Sequence, residues 1–125
     1  MKSLLVIAHG SRRQASNDEV RFLTGRIADK AGNKFDIVKS AFLELAEPSI
    51  PDGIQQCVEE GAEEIIVLPY FLSAGRHVAE DIPGEIEAMS IKFPDVRITT
   101  APYLGAVDEI ADLMVEQAKT SLQES

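Results

Sequence analysis

The sequence predicts an α/β fold, a four-stranded parallel sheet in the order 2-1-3-4 with helices on both faces. Two observations carry this expectation. Short apolar runs alternate with longer segments of helical periodicity from end to end, the signature of successive strand–helix units. One run, Ile65-Ile66-Val67-Leu68, is uncharged, largely β-branched and closed by Pro69, which marks a central strand.

Taken in order, Leu4 to Ala8 is a continuous apolar run of the kind buried on both faces of a sheet, and it ends at His9-Gly10. From about Asn17 the positions Val20, Leu23, Ile27 and Ala31 recur at helical spacing until Gly32-Asn33. Phe35 to Ala41 reads as a second, weaker strand. Ser49 is placed to cap the next helix, with Pro51 in its first turn, Ile54, Cys57 and Val58 on one face, and a stop at Gly61. The central strand is followed by a loop from Tyr70 to His77. A third helix carries Val78, Ile82, Ile86 and Met89; Pro83 means that it either starts near Asp81 or is kinked. Val96 to Thr100 forms the fourth strand. Val107, Ile110, Ala111, Met114, Ala118 and Leu122 then form the apolar stripe of a last helix.

A length of 125 residues fits one domain and is too short for two independent cores, so residues 1–125 are read as a single unit. The apolar start is too short for the core of a signal peptide and lacks a cleavage site, and no run is long enough to span a bilayer. A lone cysteine, Cys57, allows no internal disulfide, as expected of a reducing cytoplasm. Twelve basic against twenty-one acidic side chains leave a net charge of −9, which opposes nucleic acid or an anionic membrane as the main partner and tolerates metal cations. Against this acidic background Arg12, Arg13 and Arg76 flank the two histidines; each taken singly is equally well read as a solvated surface residue.

Strand order decides where the chemistry gathers. In a 2-1-3-4 sheet the winding reverses between strands one and three, and ligands of open α/β sheets bind outside the carboxyl ends at that reversal. His9 follows strand one, Glu44 strand two and His77 strand three, so all three meet at one edge. Neutral imidazole is both a common ligand of transition metals and a base near neutral pH. A single loop histidine would be read as a hydrogen-bonded structural residue; the convergence of two favours a site. Glu44 can be an oxygen ligand or proton acceptor, although in so acidic a chain its spacing alone does not single it out. Tyr70, Phe71 and Tyr103 lie in loops of the same edge, where they either close the core or wall a flat aromatic ligand. His9-Gly10-Ser11-Arg12 as a phosphate cradle is disfavoured, because neither Gly-Lys-Ser/Thr nor Gly-x-Gly-x-x-Gly follows. The histidine-phosphatase pattern wants arginine where Ala8 stands.

Ala8-His9-Gly10-Ser11-Arg12, Ala41-Phe42-Leu43-Glu44 with Pro48-Ser49, Leu68-Pro69-Tyr70-Phe71-Leu72 with Gly75-Arg76-His77 and Asp81-Ile82-Pro83, and Pro102-Tyr103-Leu104-Gly105 form an ordered set over most of the chain. Together they resemble the class II chelatases of the cobalamin and siroheme pathways in their short, CbiX-type form. The resemblance implies insertion of a divalent metal, cobalt or ferrous iron and less often nickel, into sirohydrochlorin without ATP or an organic cofactor. It implies that His9, His77 and Glu44 are the catalytic and metal-binding groups. It further implies a homodimer with the cleft between subunits, since related long forms carry two such halves. From what metal insertion requires, Arg12, Arg13 and Arg76 are expected at the carboxylate rim of the tetrapyrrole, with Ser73, Ala74 and Gly75 offering backbone hydrogen bonds and Tyr70 and Phe71 walling it. The competing class is a non-catalytic tetrapyrrole or metal carrier on the same fold.

Overall fold

The computed structural model describes residues 1–122, with His77 placed by its backbone alone. Its elements are β1 (Lys2–Ala8), α1 (Gln14–Ala31), β2 (Ile37–Phe42), α2 (Ile50–Glu59), β3 (Glu64–Pro69), α3 (Arg76–Lys92), β4 (Arg97–Thr100) and α4 (Glu109–Thr120). The strands form one parallel sheet in the order β2-β1-β3-β4, as the sequence predicts. The register sets Ala8 beside Phe42 and Ile7 beside Pro69, so the carboxyl ends of β1, β2 and β3 come level on one edge.

β1 is apolar on both faces because it pairs on both sides and is covered by two layers. Leu5 and Ile7, with Ala41, Ile65 and Val67 of its neighbours, face a core closed by Ile50, Ile54 and Cys57 of α2 and by Ile82, Ile86 and Met89 of α3. Full burial of each large side chain there contributes about 1.5–3 kcal/mol. The opposite face carries Phe42, over whose ring the guanidinium of Arg21 in α1 lies at 5.0 Å. Cys57 is a packing residue: its thiol accepts a hydrogen bond from Ser3 Oγ at 2.9 Å, and burial pushes its pKa up. The cap expected for α2 is present, with Asp52 N–H donating to Ser49 Oγ at 3.2 Å and proline in the first turn.

Three expectations need correction. β2 begins at Ile37, because residues 32–34 make a 3₁₀ turn and Asp36 spends its N–H on Lys2 O at 2.8 Å before the ladder opens. The loop after β3 stops at Gly75, so Arg76 and His77 belong to the first turn of α3, which runs through Pro83. Pro83 sits a full two turns inside, where its missing N–H forfeits a single bond to Ala79 O and the helix face carrying Ile82, Ile86 and Met89 still drives packing. The stripe of the last helix does not lie on the sheet: every residue of α4 except Ile110 is exposed, and Val107 and Leu122 fall outside the helix. On the face shared with α1, β3 is consequently left open, with Ile66 and Leu68 only half-buried.

Candidate functional site

The pairing of β1 and β2 continues past the strand ends. Leu43 N–H donates to Ala8 O at 2.9 Å and Glu44 N–H to His9 O at 3.1 Å, which fixes His9 and Glu44 as neighbours by backbone alone. Gly10 makes this approach possible. Its φ is +93°, and a Cβ there would overlap the Glu44 carbonyl. The turn that follows is pinned by the buried Asn17 of α1, whose Oδ1 accepts from Ser11 N–H at 2.9 Å and whose Nδ2 donates to Ser11 O at 2.8 Å. Ser11 Oγ in turn accepts from Arg13 N–H at 3.0 Å where α1 begins.

On this frame His9 Nε2 stands 3.2 Å from Glu44 Oε1, with both side chains about half exposed (52% and 57%). A carboxylate at this range accepts the imidazole N–H or shares a cation with the imidazole. The pair opens into a cavity of about 650 Å³ whose far wall is α3, with Glu80, Asp81, Gly84, Glu85 and Ala88. That wall is acidic. Desolvation, and secondarily the charge of Asp81, holds the Glu85 carboxyl above the usual carboxylate range. Among the described residues, one oxygen of Glu85, Oε2, is buried without a hydrogen-bond partner.

The structure therefore brings His9 and Glu44 together. His77 is the second residue of α3, one turn before Asp81, and its side chain lies outside the described residues. Among the described residues no third His, Cys, Asp or Glu completes a metal-binding group with the pair. Arg12 and Arg13 are exposed on the turn after His9, and Ser73, Ala74 and Gly75 are exposed on the loop leading to α3. Arg76 is exposed, with Nε 3.6 Å from Glu80 Oε1. The aromatic residues go elsewhere. Phe71 is buried in the core beneath α3, and Tyr70 lines a separate apolar groove with Leu23 and Leu68. Asn17, Glu80 and Glu85 were not predicted. Asn17 has a recognisable signal, a side chain able to bond backbone soon after Gly-Ser. The acids of α3 follow residue 77 at helical spacing, a signal hidden by reading 76–77 as loop.

A family model described as CbiX matches residues 3–121. The chain belongs to the CbiX family. Among its CbiX relatives, the sirohydrochlorin cobaltochelatase of Methanococcus maripaludis is 40% identical, the match covering 94% of this chain and 98% of that one. The sirohydrochlorin ferrochelatase of Bacillus subtilis is 34% identical over 94% of this chain and 44% of its own. The crystal structure of the sirohydrochlorin chelatase SirB from Bacillus subtilis subspecies spizizenii in complex with cobalt superposes with a TM-score of 0.81 at 30% identity, over 96% of this chain and 50% of that one. The chain thus spans about half the length of its Bacillus relatives and nearly the whole of the archaeal one. Among the described residues no helix is long and apolar enough to cross a membrane.

Proposed function

We propose that this CbiX protein inserts a divalent metal, cobalt or ferrous iron, into sirohydrochlorin, in cobalamin or siroheme formation. The observation that carries the reading is the His9–Glu44 pair at 3.2 Å, set at the carboxyl edge of the sheet and facing the acidic wall of α3 across an open cavity. Relatives of about twice this length and of nearly equal length are named for this reaction.

Insertion must strip water from the metal, remove two pyrrole protons and hold the macrocycle close. Imidazole nitrogen replaces water on a borderline cation and also accepts protons near neutral pH. His9 and His77 receive the metal in this reading and accept the pyrrole protons. Glu44 orients His9 and relays its proton, or adds an oxygen to the metal. Glu80, Asp81 and Glu85 attract the incoming cation and repel the carboxylated rim of the tetrapyrrole. The rim then falls to Arg12, Arg13 and Arg76, whose guanidinium groups suit bidentate pairing with its eight carboxylates, and to backbone N–H groups of Ser73–Gly75. Phe71 supports that loop from the core, and Tyr70 flanks it. The protein works as a homodimer in the cytoplasm, with residues 1–125 as one functional unit and no organic cofactor.

The test mixes the protein with sirohydrochlorin and, in parallel, Co²⁺, Fe²⁺ and Ni²⁺, and follows the absorption spectrum. Acceleration over the uncatalysed rate with cobalt or iron is expected. Tight tetrapyrrole binding without acceleration by any metal would replace this reading with that of a carrier.

A further inference from the structure

We propose that Arg21 is a positioning residue for the His9–Glu44 pair, and that α1 acts through Arg21 and Asn17 as a splint between the two loops that carry the pair. The inference deepens the chelatase reading and rests on it for the catalytic consequence; the placement it assigns is tested without metal or tetrapyrrole.

Asn17 and Arg21 stand one helical turn apart and so on one face of α1. Asn17 holds the turn after His9 through its paired hydrogen bonds with Ser11. Arg21 reaches the loop after Glu44. Its Nη2 donates to Glu47 O at 3.0 Å, its Nη1 donates to Asp18 Oδ1 at 3.1 Å, and its guanidinium lies 5.0 Å from the centre of the Phe42 ring. Phe42 ends β2 beside Ala8, the residue before His9, and is fully buried. A planar group fixed by a carboxylate, a carbonyl and an aromatic face keeps one orientation. Asp18 is itself held by Gln14, whose Nε2 donates to the same Oδ1 at 3.1 Å. Unlike Arg12 and Arg13, exposed on the turn after His9, Arg21 has its guanidinium committed within the chain.

The loop needs such a hold. Residues 43–48 leave the sheet edge and rejoin it: Leu43 and Glu44 N–H are tied to Ala8 and His9 on the way out, and Phe42 N–H donates to Pro48 O at 2.9 Å on the return. Between these points Leu45 stands at φ +64° and is 55% exposed, a backbone conformation that leucine keeps only where its surroundings enforce it. Among the described residues, the bond from Arg21 to Glu47 O is the only hydrogen bond that residues 45–47 make. Without it Glu44 is held from its N-terminal side alone. The pair is then free to part, because both side chains are about half exposed and water competes for the 3.2 Å contact between them. A displacement of about 1 Å at a reacting group is enough to cost on the order of 10²-fold in rate.

Amide hydrogen exchange, followed by NMR on the metal-free protein, reads the placement directly. In Arg21→Ala the Glu44 amide is expected to exchange about tenfold faster than in the parent, while the amides of Leu5 and Val67 in the central strands keep their protection. Insertion kinetics with cobalt and sirohydrochlorin then read the consequence. In Arg21→Ala kcat is expected to fall about tenfold with KM for sirohydrochlorin within about twofold of the parent. Arg21→Lys, which keeps a charge over Phe42 and a donor for Glu47 O, is expected to recover part of the loss. In a Glu44→Gln background Arg21→Ala is expected to cost less than about twofold further, because the carboxylate it positions is already gone. Unchanged exchange at Glu44, or equal loss of protection at Leu5 and Val67, would overturn the placement. A full tenfold loss in the Glu44→Gln background, or a raised KM at unchanged kcat, would overturn the action through Glu44. A parent that inserts no metal would sink the chelatase reading and leave the exchange result to decide whether Arg21 holds the pair.

Discussion

At the scale of the residue, Gly10 does the most with the least. It turns the chain at a φ forbidden to most side chains and lets the Glu44 carbonyl come within contact, so the His9–Glu44 pair exists because position 10 has no Cβ. Gly10→Ala is expected to lower unfolding free energy by about 1–3 kcal/mol. Gly25→Ala, where a Cβ on the helical α1 meets nothing, is expected to raise it by about 0.4–1 kcal/mol. Urea titration of both variants checks the contrast; equal effects would contradict the close-approach argument. Glu85 makes a second prediction, of pH dependence. Its folded pKa lies above the unfolded one because burial and Asp81 disfavour the anion. Between the two values the folded state holds the extra proton, so stability falls as pH rises out of the ordinary carboxylate range and through the raised value. Glu85→Gln removes this loss: the variant is expected to gain in urea midpoint over the parent at pH 7 and to match it at pH 4. His9 was legible from sequence because it directly follows a strand whose end is plain; Glu44 follows the weaker second strand, and in so acidic a chain only the family resemblance singled it out. Asn17 and Glu85 were not legible, since a buried hydrogen bond and an unpartnered carboxylate oxygen depend on what folds over them.

At the scale of the element, the strands were the most readable part. β1, buried on both faces, and β3, paired on both sides, are central and carry unbroken apolar runs whose ends the sequence marks with His9 and Pro69. β2 and β4 pair along one side only, and their starts were misplaced by one or two residues. The cap of α2 was legible because it is local chemistry, Ser49 followed by proline. Ser49→Ala is expected to cost about 1 kcal/mol, read as a lowered thermal midpoint with an unchanged fold. The start of α3 was hidden behind Pro83. A proline inside a helix signals an end when read locally, whereas here tertiary packing of Ile82, Ile86 and Met89 outweighs one lost backbone bond.

At the scale of the whole molecule, the order β2-β1-β3-β4 is what brings three separated segments to one edge of the sheet. Order followed from right-handed crossovers and from the apolar strength of β1 and β3, and with it the placing of His9, Glu44 and residue 77 on the same edge. The course of α4 did not follow, because amphipathic spacing says that a helix has an apolar face and does not say where its own sheet lies relative to that face. The aromatic residues are a similar case: Phe71 and Tyr70 are consecutive, so their side chains part to opposite faces, one into the core and one into the groove. The measurement that tests the central claim most directly is the initial rate of cobalt insertion into sirohydrochlorin by the parent protein and by His9→Ala, Glu44→Gln and His77→Ala, with folding checked by circular dichroism. The account predicts acceleration by the parent and a loss of about 10²-fold or more in both histidine variants, with a smaller loss in Glu44→Gln. Parent-like rates in His9→Ala and His77→Ala, both folded, would contradict it.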